Sequence, residues 1–461
     1  MMVSIAMVQI GVFHNGTTNL PQKRNEDGFV YPDASLKEVH EDVREVMRDQ
    51  VRHAVVAEEA GFDRVFYTEH HFQPTGSEHS PNPLMNQMAV AAQTDTIKLC
   101  QATNIITWHD PVRFAEQAAI LDTISDGRAE IGVGRGYQPR ENEILGQYWG
   151  GTIQDQEKNR SSFEEKFEII KKAWTNDMFS YHGEFHQIPP RHTKWHHALD
   201  HAYFSDDVTE YDVEDVMNWD EEGDFYSNLW NPVVSGGTTL KKIGIFPRPQ
   251  QQPHPQLWQP LTSPRSIRFA AQNSINGYFI VEPNSRLKGN IDLYYEAAEE
   301  AGWPDHRPEY DGKPFKRGWD EERGRGIITC RNLFNTEIHD DETFEAWKMG
   351  LENAWSYYGP FGFASVLAEG DEELYDPSTK VTAEMLIDKD VAIVGDADEL
   401  ADKCAKIGEE CGYEDFHFNC WFEVPGVSGE VADEQALAFG EQVKPYLEEE
   451  FPSPKAVAAD D

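Results

Sequence analysis

Glu69, His70 and His71 stand together at the end of the β-type run Arg64 to Thr68, so a carboxylate and two imidazoles follow an extended segment directly. An imidazole gives or takes a proton near neutral pH, which makes this trio a candidate acid/base group. Adjacent side chains on a strand point to opposite sides, so only one of the two histidines can face a common pocket. Structural histidines bonded to carbonyls are the competing account. A second group, Gly132-Val133-Gly134-Arg135-Gly136-Tyr137, follows another apolar run. Its glycines let backbone N–H groups approach a phosphate or a ring, and Arg135 brings the charge; a tight turn with an exposed arginine has the same composition. The third glycine and the later acidic residue of a dinucleotide fold are missing. Thr262, Ser263 and Ser266, with Pro264 between them, sit at a helix start, where hydroxyls either hold a phosphate or simply cap the helix. A fourth group is the imidazole-rich stretch His182, His186, His192, His196, His197 and His201. His197 and His201 have the helical spacing that can chelate a metal beside Asp200, yet no His-Glu-x-x-His is present. A solvated acidic insertion is the expectation, and no residue is assigned to a metal.

These groups need elements to position them, and hydrophobic periodicity supplies eight strands alternating with helices. The strands are expected at Val3 to Phe13, Arg64 to Glu69, Lys98 to Ile106, Ala129 to Val133, Gln256 to Leu261, Gly277 to Val281, Gly326 to Phe334 and Asp415 to Phe422. Leu36, Val39, Val43, Met47, Val51 and Val55 predict a helix with one buried face, and Asp110-Pro111 marks another helix start. Ser162 and Glu165 have capping-box spacing, Val391 to Val394 reads as part of a loop, and Glu434 to Glu449 predicts a final helix. Alternation of this kind points to a (β/α)8 TIM barrel in which the ends of strands carry the chemistry. The whole chain is expected to be one such domain with insertions in the strand-connecting loops at about 189–240 and 302–322.

Composition narrows the function. The 461 residues include 82 acidic against 40 basic side chains, a formal net charge of −42. That surplus repels nucleic-acid phosphate and anionic membrane surfaces, so neither is an expected partner. It also suggests a surface tuned to high salt. No apolar run is long enough to cross a bilayer, and Ile5 to Phe13 lacks the basic flank and cleavage site of a signal peptide, so the expected location is the cytoplasm. Five cysteines without a Cys-x-x-Cys pair argue against a disulfide framework, an iron–sulfur cluster or a structural zinc site.

Several motifs taken in order resemble the bacterial luciferase-like flavin monooxygenases. They are Ala57 to Asp63 leading to Glu69-His70-His71-Phe72, then His109 to Glu116, Leu121 to Arg128 and Gly132 to Gly136, and further on Phe246 to Gln250, Pro253 to Pro255 and Val391 to Gly395. The resemblance implies a barrel that binds reduced FMN, which reacts with O2 to a flavin C4a-peroxide and oxygenates an organic substrate. It assigns catalysis to His70, supported by Glu69 and His71. It assigns cofactor contacts to Thr103 and Asn104 at the end of strand three, where a non-prolyl cis peptide is expected, to Gly134, Arg135, Gly136 and Tyr137, to Glu141, and to Thr262, Ser263 and Ser266 around the phosphate. Gly134 stands where the luciferases proper carry a reactive cysteine, so light emission is not expected. The implied partners are a separate NAD(P)H-dependent flavin reductase and a second copy in a homodimer. Aromatic residues near the strand ends (Phe13, Tyr67, Trp108, Trp258 and Trp421) suggest a water-poor mouth and hence a small, largely apolar substrate, such as an aldehyde, ketone, terpenoid or organosulfur compound. The alternatives are a deazaflavin- or flavin-dependent oxidoreductase that transfers hydride without O2, a non-catalytic flavin-binding protein, and a metal-dependent hydrolase built on the histidine-rich insertion.

Overall fold

Strands covered on both faces read as short apolar runs, and eight such runs form the frame of this molecule. The computed structural model describes residues 8–190, 239–314, 322–370, 372–412 and 417–450, with positions 193, 203, 217, 218, 317, 319 and 320 between them. The strands are β1 (Gln9–His14), β2 (Arg64–Tyr67), β3 (Lys98–Gln101), β4 (Ala129–Gly134), β5 (Leu257–Pro260), β6 (Asn276–Ile280), β7 (Ile327–Asn335) and β8 (His417–Trp421). Each pairs in parallel with its neighbour in chain order. Ile10 opposite Phe418 closes β8 onto β1, and the sheet is a barrel without a free edge.

The outer ring is α1 (Leu36–Glu59), α2 (Pro83–Ala91), α3 (Pro111–Ile124), α4 (Pro139–Leu145), α5 (Gln156–Thr175), α6 (Pro264–Gln272), α7 (Asn284–Glu300), α8 (Asp341–Tyr358), α9 (Ala383–Asp388), α10 (Ala397–Cys411), α11 (Gly429–Ala438) and α12 (Lys444–Glu450). Local chemistry explains their starts. Ser35 and Glu38 form a capping box on α1, and Asp110 accepts from Val112 and Arg113 with Pro111 in the first turn of α3. Four expectations shift. Ser162 does not start α5: Asp155 caps it earlier, while Ser162 bonds the Trp149 carbonyl and Glu165 accepts from the backbone of residues 184–186. Val391 to Val394 belongs largely to a strand, Ala392–Gly395, that pairs with the outer half of β7. The last helix is broken by a π turn at Phe439–Val443. Finally, β3 stops at Gln101, the Ala102–Thr103 peptide after it is cis, and Asn104–Ile105 pairs with the outer part of β4.

The barrel interior is filled in layers. At the floor Glu130 accepts from Arg64 Nε at 3.0 Å and Trp258 Nε1 at 2.7 Å. Trp319, from the segment expected to be a polar insertion, is fully buried there, stacked on Trp258 and covering the Arg64 guanidinium. Removing one partner of so deeply buried an ion pair costs about 3–5 kcal/mol. Phe66, Cys100, Tyr278 and Cys330 fill the middle, with Asn419 donating to the Tyr278 hydroxyl. All five cysteines are free and buried. The top layer is left open, and the cavity lies there. No helix among the described residues is long and apolar enough to cross a membrane.

Candidate active site

The cavity occupies the carboxyl ends of the strands, the end of such a barrel where loops converge. It measures about 240 Å3, and its walls include Phe13, Ala102, Ile105, Trp108, Ile280 and Trp421. Of the sequence-derived residues, Glu69, His70, Thr103, Gly134, Arg135, Gly136, Tyr137, Glu141, Thr262, Ser263 and Ser266 all line it. Two do not. His71 packs edge-on against Trp108, and Asn104 is spent inside the wall, donating to Gln101 at 2.8 Å and to the Gly132 carbonyl at 2.9 Å.

The adjacent imidazoles face different ways: His70 lines the cavity and His71 does not. His70 Nε2 lies 3.3 Å from Glu78 Oε1, and its Nδ1 lies 3.5 Å from Glu141 Oε1. Burial works against a charged ring, but Glu78 and then Glu141 outweigh it, and His70 is raised to about 9. Glu78 in turn accepts from the Tyr137 hydroxyl at 2.8 Å and from Gln138 Nε2 at 2.7 Å, and burial pushes its carboxyl above the usual range. Glu141 also accepts from the His71 backbone N–H, so one carboxylate orients both the ring and the chain that carries it.

Glu69 behaves differently. It accepts from Ile105 N–H at 2.5 Å and from His109 Nε2 at 2.7 Å. Against burial, which would raise it, His109 draws its carboxyl down to about 2. It is a permanent anion that fixes the strand-three extension to the end of β2.

The glycines of the Gly132 to Gly136 run serve close packing. A Cβ on Gly132 would lie 1.8 Å from the Gln101 carbonyl oxygen, and one on Gly134 would lie 2.4 Å from Thr103 Cγ2. Gly136 has φ +72, with Trp108 and Asn142 against it. These positions therefore admit the cis segment 102–103 against β4.

Positive charge collects around Arg135 on the cavity wall. Burial, and then the neighbouring charges of Arg160 and Arg265, push Arg135 below its ordinary value. Arg265 is answered by Glu157 at 2.7 Å. Neither Arg135 nor Arg160 has a side-chain hydrogen bond or ion pair among the described residues, and Arg160 Nε is buried. Beside them α6 begins, with Ser263 and Ser266 in a capping box, so its first-turn N–H groups add to the field. The hydroxyl of Ser266 donates to the Ser263 carbonyl at 2.8 Å, so the capping account of this segment holds. Two further polar atoms on the cavity wall, Gln259 Oε1 and Trp421 Nε1, are buried without a partner.

Sequence reasoning missed Glu78, Gln138, Gln259 and Arg160. Glu78 sits in a loop at φ +66 and Arg160 inside a helix, and neither belongs to a spacing pattern. Of the histidine-rich stretch, His182 is exposed and bonds Gln187, while His186 bonds Glu165. His192, His196, His197, Asp200 and His201 lie outside the described residues.

Comparison with known proteins agrees with this geometry. Residues 27–201 match the family model described as luciferase-like monooxygenase. The chain is 24% identical over 221 residues to the oxygenase component of a flavin-dependent trigonelline monooxygenase of Acinetobacter baylyi, covering 48% of this chain and 45% of that protein. It is 30% identical to an F420-dependent glucose-6-phosphate dehydrogenase of Amycolatopsis mediterranei, over 31% of this chain and 42% of that one. The chain thus spans less than half the length of these two relatives. The oxygenating constituent of 3,6-diketocamphane monooxygenase from Pseudomonas putida, solved with FMN, superposes with a TM-score of 0.62 at 19% identity, over 96% of this chain and 98% of that one, which establishes the shared barrel fold. Through residues 27–201, the chain is similar to the luciferase-like monooxygenase family.

Proposed function

We propose that this protein is a flavin-dependent monooxygenase that uses reduced FMN and O2 to oxygenate a small, largely apolar organic molecule. The observation that carries this reading is that one cavity is lined both by an imidazolium held between two carboxylates and by Arg135, whose guanidinium has no hydrogen bond or ion pair among the described residues. The residues present fit FMN. Arg135, Arg160 and the start of α6 with Thr262, Ser263 and Ser266 would hold the phosphate. Gln259 Oε1 and Trp421 Nε1 would meet polar edges of the ring, and Phe13, Ala102, Ile105 and Trp108 supply apolar surface.

When bound, the reduced flavin supplies two electrons and activates O2. The protein's part is to bind, to exclude water and to manage a proton. Apolar walls keep the mouth at low dielectric, where each fixed charge acts more strongly than in water. His70 enters the reaction charged and holds a proton at Nε2 or Nδ1 that it can donate as negative charge develops on oxygen. Glu78 and Glu141 restore that proton's affinity afterwards. Aldehydes, ketones, terpenoids and organosulfur compounds are the substrate classes that suit such a wall. The name of the Acinetobacter relative as an oxygenase component supports a separate flavin reductase as the source of reduced FMN, and a homodimer in the cytoplasm completes the reading.

Hydride transfer between an organic substrate and a deazaflavin, without O2, is the second reading, favoured by the similarity to an F420-dependent dehydrogenase. Oxygen consumption with supplied reduced FMN against a panel of aldehydes, ketones and sulfides separates the two. Substrate-stimulated uptake with an oxygenated product supports the monooxygenase. Anaerobic reduction of F420 by an alcohol, with no substrate-stimulated uptake, replaces it with the dehydrogenase.

A further inference from the structure

Behind the wall of the cavity, three side chains from three elements converge. His14 ends β1, His53 lies on α1 and Glu423 follows β8. All three are buried, and one ligand atom from each lies within 4.8 Å of the others. His14 Nδ1 stands 3.7 Å from Glu423 Oε2, and neither nitrogen of the His14 ring has a hydrogen-bond partner, although the residue is only 2% exposed. A polar ring at that depth without a partner is costly unless something answers it.

The surroundings are arranged as a metal's outer shell is. His53 Nδ1 is bonded to Asp433, which leaves Nε2 as its free nitrogen; a carboxylate behind a histidine fixes the tautomer and raises the ring's basicity toward a cation. Arg52 holds Asp433 in turn at 2.6 Å. Glu423 Oε1 is occupied by the backbone N–H groups of Asn15 and Gly16, so Oε2 is the oxygen left over. A crevice lined by Asp49, His53, Glu423 and Ser428 provides an entry path and room for a water as a further ligand.

We infer that His14, His53 and Glu423 form a binding site for one zinc-class divalent cation, oriented by Asp433 and separate from the flavin cavity. Two imidazoles and a carboxylate with an open position suit zinc, whose ligands sit at about 2.0–2.1 Å, so the cluster closes by about 1 Å on loading. The role that follows from position is structural. Glu423 anchors the turn that presents Asn15 to the cavity wall, and a cation there ties β1, α1 and the end of β8 together.

The test uses the full chain, stripped with a chelator and then loaded with zinc chloride and passed through a gel-filtration column in high salt, so that metal held only by the acidic surface is lost. One retained zinc per chain and a higher Tm are expected, with retention abolished in H14A and E423Q, and with D433N binding about 10–100-fold more weakly. Zinc-free wild-type protein after the column overturns the inference, as does equal retention by folded H14A and E423Q. If a variant does not fold, judged by circular dichroism, the wild-type cobalt derivative decides. Intense visible absorption of a four-coordinate site supports the assignment, and the weak spectrum of an octahedral ion overturns it.

Discussion

Replacing Glu78 by Gln removes one negative charge and almost no volume, which makes it the sharpest probe of the imidazolium at the cavity's centre. Raising His70 from 6.5 to about 9 corresponds to about 3 kcal/mol of preference for the charged ring. At the 3.3 Å separation from Glu78, two unit charges attract by about 5 kcal/mol at an effective dielectric of about 20, enough to leave that net after the opposing cost of burial. In E78Q only Glu141, at 3.5 Å and already accepting from the His71 N–H, still opposes burial. The His70 pKa is expected to fall by about two pH units or more, into the ordinary histidine range or below it. The assay is a titration of imidazole 15N shifts, with His70 assigned by its disappearance in H70Q. Stability follows the same linkage. Because the folded-state value lies above the unfolded one, the contribution is complete below 6.5 and is lost as pH rises through about 9, so denaturant unfolding of the wild type weakens by about 3 kcal/mol over that window from this group and E78Q shows little of the loss. A His70 that titrates at the same pH in E78Q as in the wild type refutes the reasoning.

Other outcomes follow from single contacts. Glu69, held at about 2, contributes stability that is complete above its ordinary value near 4.5 and disappears as pH falls through about 2; E69Q is expected to lose about 3 kcal/mol at pH 7 and to show a flatter acid dependence in urea unfolding. R160A is expected to weaken FMN binding by about 1.5–3 kcal/mol, the worth of a hydrogen bond to a charged group, whereas R265A, whose guanidinium is already paired with Glu157, weakens it less; flavin fluorescence titration measures both. Ala at Gly132 would put a methyl 1.8 Å from a backbone oxygen, so G132A is expected to lose more than about 3 kcal/mol or fail to fold, read by thermal unfolding. With a net charge of −42, Tm is expected to rise from low to molar salt, and an unchanged value contradicts a surface tuned to salt.

What could be read from the sequence was what local chemistry repeats. The apolar runs of β2, β4 and β8 and the Asp110-Pro111 start of α3 announce themselves because burial and capping leave periodic or paired signatures. Strand alternation announced only that one of His70 and His71 could face a pocket, and the family resemblance chose His70. Features decided by tertiary contact left no such mark. Glu78 comes to His70 from a loop at positive φ, Arg160 on α5 adds its charge near Arg135, and Trp319 turns a polar-looking segment into the barrel's floor. The glycines after β4 were legible as glycines but not for their reason, since the close approach of Gln101 and Thr103 depends on where β3 breaks off.

The central claim is that Arg135, Arg160 and the start of α6 grip the phosphate of a reduced flavin whose ring lies toward His70. Anaerobic titration of the chain with reduced FMN and, separately, with reduced riboflavin isolates that grip, because the two ligands differ only in the phosphate. One equivalent of reduced FMN bound at least about 100-fold more tightly than reduced riboflavin is expected from two or more charge-assisted contacts. Equal affinities, or no binding of reduced FMN, would contradict the account.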